Sequence, residues 1–405
     1  MTRRASCLAG QICALMAGLV FLSPLACATE SIFLLGNSAV RRSLAGAGVA
    51  SPHNTEWMAL NPAGLVALER RIDIDLATLH TDILFEPRGP VGNRFDGSSA
   101  DRQFFFVPSA GMVFPTDHGA WALGIYSPSG IGVDLPHSRN LLSRLAHGNA
   151  DRRLNIQQTR LQCAYAHRFD NGWALGASVN ASLSLLRTDH LTLRLTSAEA
   201  NHAWDTALGG GFGLGVWREW DRIALGLSYQ SRQWSERFDK YTDLCTKSFD
   251  LPEIVQAGFA YDLTPNLQIM ADYKFIHCNS IRVLSGPPLK GGFGRDDQHI
   301  AKLALEWRPA QRWSLRAGYS HNFGDAISDK YAFINALVGT ISEDHLAFGA
   351  SYAVSDRSDI HVSYMHTFDE TIVDSGRGDL FSRLGAGTTM SLGVESVTLG
   401  YTYKF

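Results

Sequence analysis

The groups in this sequence that could do chemistry are few and dispersed. Gly46-Ala47-Gly48-Val49-Ala50-Ser51 is a near miss of the dinucleotide-binding turn, but it lacks the last Gly and a preceding strand, so it is rejected as one. Gly209-Gly210-Gly211-Phe212-Gly213 lies inside an alternating stretch and is not a phosphate loop. Neither H-E-x-x-H nor G-x-S-x-G occurs, which removes two common hydrolase signatures. The 14 His are scattered, and His361 and His366, five apart on a strand, face opposite sides. No cofactor and no metal is expected, and no enzyme; an enzyme acting on lipids through a dispersed Ser/His set stays as an alternative. What remains is charge. Lys302, Arg316 and Lys404 fall on the polar side of alternating segments, where they would hold an anionic head group or pair with acids such as Asp272 and Glu306. Arg139 and Arg144 sit among Leu135, Leu141, Leu142 and Leu145, and either would meet a carboxylate, or equally a lipopolysaccharide phosphate, by charge-assisted pairing.

The elements that must position these groups are strands. After residue 70 the dominant hydrophobic period is 2. Val397, Leu399, Tyr401, Tyr403 and Phe405 share one face, and Ser396, Thr398, Gly400, Thr402 and Lys404 share the other. Fourteen segments repeat the pattern, at about 71–84, 102–114, 119–128, 153–169, 172–187, 203–218, 221–233, 250–262, 266–281, 298–308, 312–324, 343–354, 358–370 and 389–405. Short turns and long loops alternate strictly between them. A soluble sandwich has no reason to gather every long loop at one end, whereas outer-membrane barrels have short turns on one side, long loops on the other and an even strand number. The fold class expected is therefore all-β: a 14-stranded antiparallel transmembrane β-barrel. Trp121, Trp173, Trp307 and Trp313 lie near strand ends, as interfacial girdles do. The composition agrees: 45% hydrophobic, 10% aromatic and 38 Gly fit an apolar outer face alternating with a small or polar lumen face. A net charge of -3 gives no cationic excess for nucleic acid.

Residues 1–28 read as a signal peptide, with Arg3 and Arg4, an apolar run from Cys13 to Leu22, and an A-x-A site at Ala26-Cys27-Ala28. Lipidation of Cys27 ranks second, because Pro24 replaces the favoured Leu. Three cysteines follow, Cys163, Cys245 and Cys278, too few for a disulfide framework; Cys245 with another loop cysteine is the pairing worth testing.

Residues 29–68 do not alternate. They are rich in small residues: Gly36-Asn37-Ser38-Ala39, then Ala45 through Ala50, then Asn61-Pro62-Ala63-Gly64-Leu65. With fourteen strands behind it, this segment resembles the plug, or hatch, of the FadL/TodX family of outer-membrane transporters for fatty acids and aromatic hydrocarbons, whose hatch ends in an N-P-A motif. Here that motif is Asn61, Pro62 and Ala63. Val107-Pro108-Ser109, Tyr126-Ser127-Pro128-Ser129-Gly130 and Leu251-Pro252 also resemble family patterns, as does the terminal Phe405 the C-terminal signal of outer-membrane proteins. The domain order implied is a signal peptide at 1–28, a hatch at 29–68 and a barrel at 69–405.

The resemblance implies passive uptake of a hydrophobic compound, first a long-chain fatty acid and second a monoaromatic or alkane hydrocarbon; an adhesive barrel is a further alternative. It implies external capture by a greasy groove, here Leu141, Leu142, Leu145 and Arg144, with a short helix over Asn140–Ala146. It implies an interior pocket approached by the hatch start, Ile32, Phe33, Leu34 and Leu35, which would line it or merely anchor the plug. It implies a lateral opening at a kink in the third strand, at Ser127, Pro128, Gly130 and Gly132. Local physics agrees, since Pro lacks an N–H and Gly weakens pairing; the plainer reading ends the strand there. The partners implied are the hydrophobic substrate, outer-membrane lipid and lipopolysaccharide, and the assembly machinery, with the chain acting as a monomer in the bacterial outer membrane.

Overall fold

The alternating segments form fourteen long antiparallel strands. They are β1 Arg71–Glu86, β2 Gln103–Thr116, β3 Gly119–Leu135, β4 Arg152–Arg168, β5 Ala174–Asp189, β6 Asp205–Trp220, β7 Ile223–Gln230, β8 Ile254–Thr264, β9 Leu267–Ile276, β10 Gln298–Ala310, β11 Trp313–Asn322, β12 Asp344–Ser355, β13 Ser358–Val373 and β14 Thr389–Lys404. The computed structural model describes residues 30–92, 98–99, 103–135, 152–189, 203–241, 248–290, 292–324, 327–333, 335 and 342–405. Each strand pairs with its neighbour in sequence, and β14 returns to β1 over the full register from Arg71↔Lys404 to Glu86↔Thr389. The sheet is thus a closed barrel, and closure satisfies the backbone groups that an open edge would leave bare in lipid. Among the described residues no helix is long and apolar enough to cross a membrane.

Which face is buried decides the environment. Ile74, Leu76, Leu303, Leu305, Trp307, Val397 and Leu399 point outward and are exposed, Leu303 to 61%. Their sequence neighbours Asp73, Asp75, Lys302, Glu306, Ser396 and Thr398 point inward and are buried. A soluble sheet packs its apolar face on the core and exposes its polar one; this barrel does the reverse all round, as a lipid-embedded barrel must. At the end that carries the short turns, Trp121 stacks near Tyr165 (4.5 Å), Trp313 near Tyr352 (4.8 Å) and Trp173 edge-on to Trp220 (5.7 Å). Such amphipathic rings suit a water–lipid boundary.

The strand boundaries differ from the expected ones in three informative places. β3 does not end at Pro128 but runs on to Leu135 past a bulge. β7 stops at Gln230, and after a short break Trp234–Ser235 resumes the pairing along β6, at Gly209–Gly210. β9 stops at Ile276, short of the expected 281, and the chain turns instead into a 3-10 turn at Cys278–Ser280 and a helical turn at Arg282–Ser285. In each case tertiary packing at the loop end overrides the local period. Residues 1–29, with the expected signal peptide, lie outside the described residues.

Candidate functional site

Residues 30–68 lie inside the barrel, as two helical turns, α1 Ala39–Ser43 and α2 Trp57–Leu60, and a 3-10 turn, Pro62–Ala67. A short plug cannot pair all its own backbone groups, so the wall and the plug's own side chains pair them. Asp75 of β1 accepts from the Ala39 N–H (2.8 Å), Asp73 from the Thr55 N–H (2.8 Å), and Asp272 of β9 from the Gly48 and Val49 N–H groups (2.7 and 2.9 Å). Gln162 and Gln230 donate to the Met58 and Ala59 carbonyls, and Trp217 to that of Ala50. Within the plug, Glu56 accepts from the Asn37 and Ser38 N–H groups and from Arg41 (2.9 Å). Burial raises the Glu56 pKa, but Arg41 and these hydrogen bonds outweigh it and hold the carboxyl below its usual range.

Asn61, Pro62 and Ala63 are where local chemistry and wall meet. Asn61 caps the 3-10 turn by accepting from the Ala63 N–H, and Pro62 occupies its first position, where the missing N–H costs nothing. The Asn61 amide then donates to the Val49 and Val216 carbonyls, both at 3.1 Å, tying the turn to the plug and to β6. The wall meets this turn with glycines: a Cβ at Gly215 would strike Asn61 Oδ1, and one at Gly176 would strike the Ala63 backbone.

At the start of the plug, Glu30 contacts two wall lysines, Lys274 of β9 and Lys302 of β10, each at 2.5 Å. Burial would raise the Glu30 pKa, but the two ammonium groups more than offset it and hold the carboxyl at about 2. Next to this triad the wall itself is incomplete. β2 and β3 pair only from Ala110↔Ile125 to Thr116↔Gly119, while Gln103–Ser109 of β2 pairs on its other side with β1 alone. One extra residue enters β3 between Tyr126 and Ser129 against β4. Beyond this bulge the edge of β3 pairs with the plug instead of with β2. Leu34 N–H donates to the Pro128 carbonyl (2.9 Å), Phe33 bridges Ser129, Ser129 Oγ donates to the Ile32 carbonyl (2.6 Å), and the Ser127 N–H reaches Asn37 Oδ1 (3.2 Å).

Above the plug, the loop half of the lumen is lined by apolar side chains. Ile32, Phe33 and Leu34 join Leu79, Phe105, Val107, Leu154, Ile156, Ile254, Ile276 and Met390 in one cluster. Between it and the bulge is a small cavity of about 30 Å³, lined by Phe33, Leu34, Pro128 and Ile254 and by Arg160 and Lys274. That is room for a few waters at most, so a lipid-sized molecule passes only if the plug start yields. Arg160 is buried, yet its hydrogen-bond partner is the neutral Gln158 (Nε to Oε1, 2.8 Å), and its Nη2 has none. Its cross-strand neighbours, Tyr126 and Ser182, are neutral too. Burying a cation without a carboxylate is costly, which marks the place where an anion from outside would be stabilised.

A closed fourteen-strand wall around an N-terminal plug is a specific architecture, and solved structures match it over most of the chain. The toluene transporter TodX of P. putida matches with a TM-score of 0.70 at 16% identity, covering 92% of this chain and 99% of that one. A Pseudomonas aeruginosa FadL homologue matches with a TM-score of 0.70 at 14% identity, covering 92% and 99%. The Ralstonia pickettii toluene transporter TbuX matches with a TM-score of 0.66 at 17% identity, over the same shares. No protein-family model and no curated protein matches the chain. The chain has the FadL/TodX fold.

Within that fold, the residues singled out from sequence are distributed unevenly. Ile32, Phe33 and Leu34 share the apolar cluster beside the cavity, whereas Leu35 packs apart from them, with Ala45, Ala347 and Met365. Ser127, Pro128, Gly130 and Gly132 lie along β3 at and beyond the bulge. Lys302 is engaged by Glu30, Arg316 by Glu306 (3.1 Å) and Ser351 (2.6 Å), and Lys404 by Asp359 (3.0 Å). All three are thus paired with acids, Lys302 with the plug and the other two within the wall. His53 of the plug joins Glu306 in the same network, and Arg308 does so at 2.8 Å. Arg139, Leu141, Leu142, Arg144 and Leu145 lie outside the described residues, as does Cys245; Cys163 and Cys278 are free thiols. Arg160 and Glu30 are not among the residues singled out, and Tyr126 is there only as the first residue of the Tyr126–Gly130 pattern. For Arg160 a signal existed: Gln158, Arg160 and Gln162 share the lumen face of β4, which carries no acid near them.

Proposed function

We propose that the protein is an outer-membrane transporter for passive uptake of hydrophobic compounds, with long-chain fatty acids as its substrates. The outward apolar belt, the one-sided long loops and the FadL/TodX fold support the membrane and the class of cargo. The observation that carries the choice of substrate is Arg160: a buried guanidinium without a carboxylate partner, where the apolar cluster of the lumen, a chamber only once the plug start moves, meets the β2–β3 seam. An amphiphile with one carboxylate and a long chain fits both parts. Its head meets Arg160 by a charge-assisted hydrogen bond, and its tail fills the cluster around Phe33, Phe105 and Leu154. The path runs from capture at the loop end, through the chamber, to sideways release at the seam once the plug start moves.

A second reading, uptake of monoaromatic hydrocarbons, is favoured by one observation: similar structures include proteins described as toluene transporters. A toluene-sized ring needs the chamber but not the cation. Uptake of labelled oleate and labelled toluene, in cells with and without the protein, separates the two. Oleate uptake that depends on the protein and falls in Arg160→Leu supports the fatty-acid reading. Toluene uptake alone supports the second, and uptake of neither, with the barrel assembled, removes both.

A further inference from the structure

The bulge in β3 needs a cause that acts before the prolines do, because pairing with β2 stops at Ile125, one residue short of Tyr126. Tyr126 points into the lumen and is 3% exposed. Its side chain turns back over two glycines that face each other across the β2–β3 ladder, Gly111 and Gly124. A Cβ on Gly111 would lie 2.9 Å from the Tyr126 hydroxyl, and one on Gly124 would lie 2.5 Å from the hydroxyl and 2.8 Å from Cζ. The slot therefore exists only because both positions lack a side chain. At its inner end the hydroxyl donates to the Thr55 carbonyl of the plug at 3.0 Å. From the next residue onward, the edge of β3 bonds to the plug through Ser127, Pro128 and Ser129.

We infer that Tyr126 is the positioning residue of the seam: seated in the Gly111–Gly124 slot and tied to Thr55, it draws the β3 backbone inward onto the plug and so fixes where the wall opens. The inference rests on the proposed lateral exit only for its functional meaning; the seating itself is separate. Removing the ring and filling the slot are chemically opposite changes with one consequence. Tyr126→Ala leaves nothing to hold the backbone in, and Gly124→Ala expels the ring. Either one loosens the bond from Leu34 N–H to the Pro128 carbonyl. Tyr126→Phe keeps the ring and loses only the hydroxyl bond.

The test is amide hydrogen–deuterium exchange of the plug segment 32–37, read by mass spectrometry on the full-length barrel in detergent, together with oleate uptake by cells. Exchange is expected to quicken at least tenfold in both Tyr126→Ala and Gly124→Ala, and by less in Tyr126→Phe, with uptake reduced in the same order. Heat-modifiable gel mobility establishes assembly. If one of the two stronger variants fails to assemble, the other carries the test. Exchange unchanged in an assembled variant overturns the inference, whatever uptake does. Faster exchange with unchanged uptake keeps the inference and overturns the lateral-exit reading.

Discussion

The buried charges of the lumen divide into a matched and an unmatched half. Along the plug, most are matched. Glu30 lies between Lys274 and Lys302, Glu56 meets Arg41, Glu306 gathers His53, Arg308 and Arg316, and wall carboxylates take up plug N–H groups. Beside the apolar cluster and the seam, Arg160 has no acid. A matched buried charge holds a plug in a fixed register. An unmatched one costs stability, and a buried guanidinium is most easily stabilised by an incoming anion. On the function proposed above, the first half holds and the second binds.

The sharpest way to break this comparison is to remove a charge from each half. Glu30→Gln leaves two buried lysines without their acid. Breaking such a pair costs on the order of 3–5 kcal/mol, so the plug start is expected to detach, seen as rapid amide exchange across residues 30–37. Arg160→Leu should act in the opposite sense on the fold: the barrel unfolds at equal or higher denaturant concentration, while oleate uptake falls about tenfold or more, as for a lost hydrogen bond to a charged group of about 1.5–3 kcal/mol. Toluene uptake is expected to be unchanged in that variant. If Arg160→Leu destabilised the barrel as Glu30→Gln does, Arg160 would be one more anchor and the contrast would fail.

Smaller effects sharpen the holding half. Asn61→Ala removes a helix cap and two bonds to carbonyls; a loss of about 1–2 kcal/mol is expected, measured as loosening of residues 57–67 by exchange in an assembled barrel. Acidification gives the mildest test. The Glu30 carboxyl, held at about 2 in the folded chain against 4.5 ordinarily, binds protons less readily folded than unfolded. Its contribution is therefore complete above about pH 4.5 and declines as pH falls toward 2. The protection of the plug start, exchange taken relative to the intrinsic amide rate at each pH, should fall across that window and not between pH 5 and 7.

The barrel was readable because its cause is local and repeated. One face of each strand meets lipid and the other meets the lumen, so period 2 recurs fourteen times, and turn length reports which end is which. Asn61 and Pro62 were readable for a similar reason, since a cap and a first-turn proline are fixed by neighbours in sequence. The functions of individual charges were not. Lys302 and Arg316 look alike from sequence to Arg160, all three lumen-facing cations on strands. What separates them is whether an acid lies opposite, and Glu30 reaches Lys274 and Lys302 across more than 240 residues of chain. The end of β3 was misplaced because Pro128 is an ordinary stop signal, while the strand continues here by pairing with β4 on one side and the plug on the other.

By itself, then, the sequence determined a lipid-facing barrel of fourteen strands with a small-residue plug, because alternation, turn length and side-chain size act over a few residues. Only the tertiary structure decided that Arg160 is left without an acid, where the wall is left unzipped and which aromatic side chain sits in the glycine slot beside that opening. Those outcomes depend on groups brought together by closing the barrel around its plug, and burial turns their presence or absence of a partner into an energy that no stretch of sequence contains.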